Sequence, residues 1–144
     1  MRSLFLITRS ALRLSRRDRL DAVRAWLWLM AARAGLTLFS YKWIARLVAR
    51  IPVRRISART TPERCALAIG RAARVAPGCG CLPQAVAAQC LLRRDGLNPN
   101  IVFGVAHDQD GRLEAHAWLW SDGRILVGGE IAGRYTTLAT PRAS

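Results

Sequence analysis

The sequence predicts an α+β fold in which helices come first and an antiparallel β-meander follows. Three observations predict it. Apolar residues recur at helical spacing as far as about Arg94. From Asn100 the pattern changes to alternation with period two. The alternating runs are separated by short turn signals, "HDQDG" and "SDGR", which join neighbouring strands as hairpins. Strands that follow helices as a block, without interleaving, form an antiparallel sheet. A chain of 144 residues, 51% of them apolar, buries a core and is most economically one domain.

Residues 1–55 read as a helical segment packed on, or docking to, a core formed by residues 56–144. In the first part, Leu20, Val23, Leu27, Met30, Ala31 and Ala34 recur at helical spacing, with Asp18 or Asp21 in the first turn. Gly35 is expected to weaken or kink this helix. A second amphipathic segment runs from Tyr41 to Arg50 and ends at Pro52. Trp26, Trp28 and Trp43 fit core or interface positions better than a nucleic-acid stacking platform.

The next helix starts at Thr61-Pro62-Glu63, a capping hydroxyl, a proline in the first turn and an acid at the positive end. Its apolar stripe is Cys65, Ala66, Ile69, Ala72 and Ala73, and Pro77-Gly78 stops it. Pro83 opens a further helix to about Arg94, with Gly96 as a left-handed terminator. Strands are expected in "NIVFGVA", "RLEAHAWLW" and "ILVGGEI", with a last edge at Tyr135 to Leu138.

Charge is lopsided: 23 Lys and Arg against 9 Asp and Glu, a net +14 carried almost wholly by arginine. Such a field favours an anionic partner without choosing among nucleic acid, headgroup and acidic peptide. The apolar run 22–39 contains Arg24 and Arg33, which argues against a membrane span but allows a helix lying on a membrane or in a protein groove. Met1 to Thr8 holds a short apolar run, "LFLIT", but no small-residue cleavage site follows. A cytoplasmic location is therefore expected, with membrane association allowed and no structural disulfides.

Three of the four cysteines lie in "APGCGCLPQAVAAQC". Cys79 and Cys81 are one residue apart with no second pair, which does not match zinc-ligand spacing, and no metal or cofactor is expected. Cys65 and Cys90 fall on apolar helix faces. Cys81 differs, because it stands where Pro83 opens a helix. Free N–H groups and the positive helix end stabilise a thiolate there and could hold an oxyanion. His116, a polar ring amid apolar strand residues, is the candidate base for it. His107 reads as an exposed loop residue. No Walker-type glycine-rich loop is present.

A helix-borne cysteine followed by a strand-borne histidine is the order of papain-like and transglutaminase-like folds. The segments "CLPQAVAAQCLLRRDGL" and "IVFGVAHDQDGRLEAHAWLWSDGRILVGG" closely resemble the lasso-peptide leader peptidases, transglutaminase-like maturation proteases. The resemblance covers roughly residues 60–130. It implies a cysteine endopeptidase that removes the leader from a ribosomally made precursor before a separate cyclase closes the ring. It places the nucleophile on Cys81 and the base on His116, and Gln84 is a candidate oxyanion support. It also implies as partners the precursor leader, a separate leader-recognition protein and the cyclase, with no nucleic acid. The apolar "AWLWLMAA" surface is a candidate contact, or else is buried in the domain's own core.

The third member of the implied triad departs from the family, since its Asp position, twelve residues after the His, is Gly128. If "SDG" is a three-residue loop, Trp120 pairs with Arg124 and His116 with Gly128. Glu130 then lies diagonal to His116 on the same face, at about 7–8 Å between Cβ atoms. Glu130 is ranked first as the third member, a dyad without a carboxylate second and Glu114 third; Asp122 serves the turn. A bulge at Gly128-Gly129 would change this order. Two other readings stay open: a non-enzymatic basic peptide- or membrane-binding module, and an acyl transferase on the same fold.

Overall fold

The computed structural model describes residues 15–53, 61–129 and 132–138. Within them four helices precede a four-stranded antiparallel sheet, the α+β order expected. Helix α1 spans Arg16–Leu38, α2 Tyr41–Ala49, α3 Pro62–Ala73 and α4 Cys81–Arg94. Strands follow at Asn100–His107 (β1), Leu113–Ser121 (β2), Arg124–Val127 (β3) and Thr136–Thr137 (β4), with a 3-10 turn at Ala132–Arg134.

Each helix starts where its local chemistry demands. Ser15 caps α1, its hydroxyl accepting from the Asp18 amide at 3.1 Å and donating to the Asp18 carboxylate at 2.8 Å. Thr61 caps α3 by accepting from the Arg64 amide, with Pro62 in the first turn. At the far end of α4, Gly96 takes φ +95° and the Leu97 amide returns to the Leu92 carbonyl, the expected left-handed stop.

The orientation of α1 differs from the sequence expectation. Ala25, Leu29 and Ala32 are its buried face, whereas Leu20, Val23 and Leu27 are 64%, 56% and 56% exposed. Both sides of this helix are apolar, so periodicity alone cannot say which side turns inward. Small alanines win because they let α1 approach α3 and α4 closely. Nor does Gly35 break the helix. A Cβ there would come within 2.9 Å of Ile44 Cδ1, so the glycine leaves room for α2 to fold back.

Helices α1, α3 and α4 share one core, formed by Leu29, Cys65, Ile69, Ala88 and Leu92 with Leu119 and Val127 of the sheet. Ion pairs fasten its rim. Arg64 of α3 meets Asp18 and Asp21 of α1 at 3.0 and 2.9 Å, and Arg124 of β3 meets Glu63 at 2.7 Å. Arg93 of α4 donates to the carbonyls of Ala49 and Ile51, closing the end of α2. Tyr41 of α2 meets Phe103 of β1 edge-on, with ring centres 5.0 Å apart.

Strand order is β3-β2-β1-β4. The first three strands form the expected meander, but β4 crosses back to the free edge of β1, pairing Gly104 with Thr137. One sheet face, with Ile101 and Leu119, packs on the helices; the other carries a second cluster of Val102, Trp118, Ala132 and Tyr135.

The hairpin between β2 and β3 also departs from expectation. Its loop has two residues, Asp122 (φ +49°) and Gly123 (φ +79°), so Ser121 pairs with Arg124 and Trp120 with Ile125, not Trp120 with Arg124. Two consecutive left-handed residues match the twist of a tight hairpin. An irregularity follows at once, because Leu119 pairs with Val127 and Leu126 is left over. Strand β3 stops at Val127, short of the expected "ILVGGEI", where Gly128 turns the chain with φ +80°.

Candidate active site

Cys81 is the first residue of α4, so the helix begins two residues earlier than Pro83 predicts. Proline is tolerated there because a first-turn N–H has no helical acceptor. Gly80 is the N-cap and has no side chain to cap with. The Gln84 amide bonds to the Gly80 carbonyl at 3.3 Å, and Pro83 has no N–H. The N–H groups of Cys81 and Leu82 are therefore left uncapped beside the half-buried Cys81 thiol. Two converging donors at the positive end of a 14-residue helix can hold an anion.

The approach to Cys81 is held from two sides. Arg33 of α1 donates to the Pro77 carbonyl and lies against Gly78, where φ is +67° and a Cβ would meet the guanidinium at 3.0 Å. Gln84 donates through Nε2 to the Cys79 carbonyl at 2.9 Å. That bond fixes the loop before the nucleophile and leaves Gln84 one N–H for any other acceptor.

The remaining cysteines sit in different surroundings. Cys65 and Cys90 are buried, and burial pushes their thiols up to about 12 and about 11. For Cys65 the negative charges of Asp95 and Asp21 add to that rise, while Arg24 opposes it. A thiol held neutral in this way is a poor nucleophile. Cys79 is buried in the approach loop.

His116 lies mid-way along β2, opposite Gly104 of β1 and on the sheet face of Trp118. Its Nε2 is 3.0 Å from the Gly128 carbonyl oxygen. A carbonyl only accepts, so Nε2 carries the proton and Nδ1 presents a lone pair. The imidazole also stacks on Tyr135, with ring centres 5.1 Å apart at 29°, and lies 6.0 Å from the Trp118 ring. Gly104 is needed here, since a Cβ would meet Trp118 at 2.6 Å and Tyr135 Cβ at 2.9 Å.

Tyr135 ties the parts together. Burial pushes its phenol above the ordinary value, and a hydrogen bond to Glu114, the Glu114 charge and the Cys81 charge push the same way, against Arg134. A residue stacked on His116 therefore lies within the electrostatic reach of both Glu114 and Cys81. No hydrogen bond joins the Cys81 sulfur to the imidazole. Glu130, ranked first as the third member, lies outside the described residues. His107 is exposed at the end of β1, and Asp122 forms the turn, bonded by the Ser121 hydroxyl.

Sequence reasoning did not find Tyr135, the Gly128 carbonyl or the Arg33 clamp. Only the paired glycines 128 and 129 signal a close backbone approach in advance.

A model of the transglutaminase-like superfamily matches residues 26–140. The chain belongs to the transglutaminase-like superfamily. No curated protein and no solved structure shows significant similarity to it. Membership points to cysteine-based acyl chemistry of the protease or transferase type. Within this transglutaminase-like domain, Cys81 stands at the start of α4 and His116 mid-way along β2.

Proposed function

We propose that this chain is a cysteine endopeptidase that removes the leader from a ribosomally made lasso-peptide precursor, with Cys81 as nucleophile and His116 as base. The observation that carries the reading is the helix start, a half-buried thiol with two uncapped amides, together with a strand histidine of the same domain already anchored through Nε2. The leader-peptidase motifs around both residues supply the substrate class.

In this mechanism substrate binding brings the thiol and the imidazole into contact, as catalytic hydrogen bonds commonly tighten in the complex. Nδ1 takes the thiol proton, and the sulfur attacks the carbonyl carbon of the leader–core amide. The resulting oxyanion faces the N–H groups of Cys81 and Leu82, with the second Gln84 N–H as support. The carbon–nitrogen bond breaks as the imidazolium protonates the core amine. Water then gives a proton to Nδ1 and its hydroxide to the thioester; the leader leaves as a carboxylate and the sulfur recovers its proton. The Gly128 carbonyl holds the ring through this cycle, and Glu130 is a further candidate partner for it.

The test is to mix the purified chain with a lasso-peptide precursor, with and without the leader-recognition protein encoded alongside, and to weigh the products. The free leader and core are expected, and Cys81→Ala should form neither while unfolding at an unchanged temperature. Full cleavage by that variant overturns the assignment. Transfer of the leader to an added amine in place of water would make the enzyme an acyl transferase on the same fold.

A further inference from the structure

We propose that the outward face of α1, together with its corner with α2, seats the protein on an anionic phospholipid bilayer. On α1 the residues Leu20, Val23, Leu27, Ala31, Ala34 and Leu38 follow one another at spacings of three and four, so they form a single stripe along the helix. Leu20, Val23 and Leu27 are mostly exposed, Leu38 is 75% exposed, and among the described residues nothing covers the stripe. The opposite face, Ala25, Leu29 and Ala32, already occupies the domain core. A helix apolar on both sides is expected to be covered on both. Among the described residues one of the two covers is missing.

Charge and shape choose the occupant. Residues 15–53 hold eight cations and two acids. Both acids, Asp18 and Asp21, are bound by Arg64, which leaves a cationic field around the stripe. Arg16 and Arg17 are exposed at its start, and Lys42, Arg46 and Arg50 are exposed on α2 just beyond its end. At the corner Phe39 stacks on Trp43 at 4.7 Å, both well exposed. The stripe is a convex ridge on one helix roughly 33 Å long, a shape that fits a plane better than a peptide. An apolar ridge flanked by arginines and closed by aromatic rings is the pattern of a helix lying in the headgroup layer. None of the described helices is long and apolar enough to cross a membrane, so the contact is peripheral.

The reading is independent of the proposed cleavage and is tested without it. The full chain is sedimented with vesicles of phosphatidylcholine alone and of phosphatidylcholine with phosphatidylglycerol, at low and high salt. Binding to the anionic vesicles is expected, weakened by salt, and roughly tenfold weaker for a Leu20→Gln, Val23→Gln, Leu27→Gln variant that unfolds at the same temperature. Should that variant fold poorly, vesicles with brominated acyl chains report on the unmodified chain, whose tryptophan fluorescence they should quench. The proposal fails if anionic vesicles leave the chain in solution, or if the folded variant binds within about twofold of the original. It fails equally if brominated chains quench nothing, or if the stripe instead pairs two copies of this chain and vesicles stay unbound.

Discussion

His116 Nε2 donates to the Gly128 carbonyl oxygen at 3.0 Å, and this bond puts a backbone acceptor where the implied triad has a carboxylate. The carbonyl fixes the tautomer and the tilt of the ring as a carboxylate would. It carries no full charge to stabilise an imidazolium, so orientation is its main contribution.

Gly128→Ala tests that contribution. With φ at +80°, and a Cβ that would sit 3.1 Å from the Ala117 carbonyl oxygen and 3.3 Å from Trp118 Cβ, alanine must move the carbonyl away from His116. The left-handed conformation costs about 1–2 kcal/mol in stability. The misplaced ring is expected to lower kcat by roughly a hundredfold with little change in KM. His116→Ala should lose about 10²–10⁴ in kcat/KM. Steady-state kinetics beside a thermal melt separates the two effects, and a Gly128→Ala variant that loses stability but keeps kcat would deny the carbonyl its role.

Tyr135 is expected to titrate above an ordinary phenol, because burial, then Glu114 through its hydrogen bond and charge, all favour the protonated form. Glu114→Gln should bring that titration back down, since only burial and the small Cys81 contribution then raise it. The measurement is tyrosinate absorbance in a Tyr41→Phe background, as Tyr41 is also pushed up by burial and would overlap. Tyr135→Phe keeps the stack on His116 and should retain activity better than Tyr135→Ala, which loses about 3–5 kcal/mol as well as the stack.

The fold was legible wherever local chemistry decided it. Thr61-Pro62-Glu63, the Gly96 stop and the first two period-two strands each carry their own signal, and the structure places them as expected. The helix start near Cys81 was legible for the same reason, to within two residues, because such a start shows in the residues beside it. The rest depended on partners distant in sequence. Nothing in the helical spacing of α1 favours Ala25 and Leu29 over Leu20 and Leu27 as the inner face; that choice is made by α3 and α4. The residue left over beside Leu119 shifts the register of β3, and with it which backbone group meets His116. Tyr135 reaches His116 only because β4 crosses to the edge of β1, a connection that local pattern does not encode.

Gly104→Ala should be among the most disruptive single methyl additions in the sheet. Its Cβ would press on the Trp118 ring at 2.6 Å and on Tyr135 Cβ at 2.9 Å, and neither is the free end of a flexible chain. Overpacking of this kind costs about 1–3 kcal/mol. Since Gly104 pairs with His116, activity should fall further than the loss of folded protein explains. Urea unfolding and kinetics on the same preparation would show the excess, and activity that follows the folded fraction alone would refute it.

Alkaline stability should report on the buried thiols. Cys65 is raised from an ordinary 9.0 to about 12 in the folded chain, mainly by burial, and Cys90 to about 11. A thiol loses its charge-neutral form on deprotonation, so between 9 and those values the unfolded chain has released its protons and the folded chain has not. The unfolded state binds fewer protons in that window, and stability must fall as pH rises, by about 1.4 kcal/mol per pH unit for each thiol. Below about pH 8 the two groups contribute no pH dependence. Cys65→Ala removes a fully buried sulfur and should cost about 1 kcal/mol at neutral pH, yet its decline above pH 9 should be shallower by one thiol's share. Urea midpoints for both proteins from about pH 8 to about pH 11 measure the difference, and parallel declines would mean that Cys65 ionises as easily inside the core as in water.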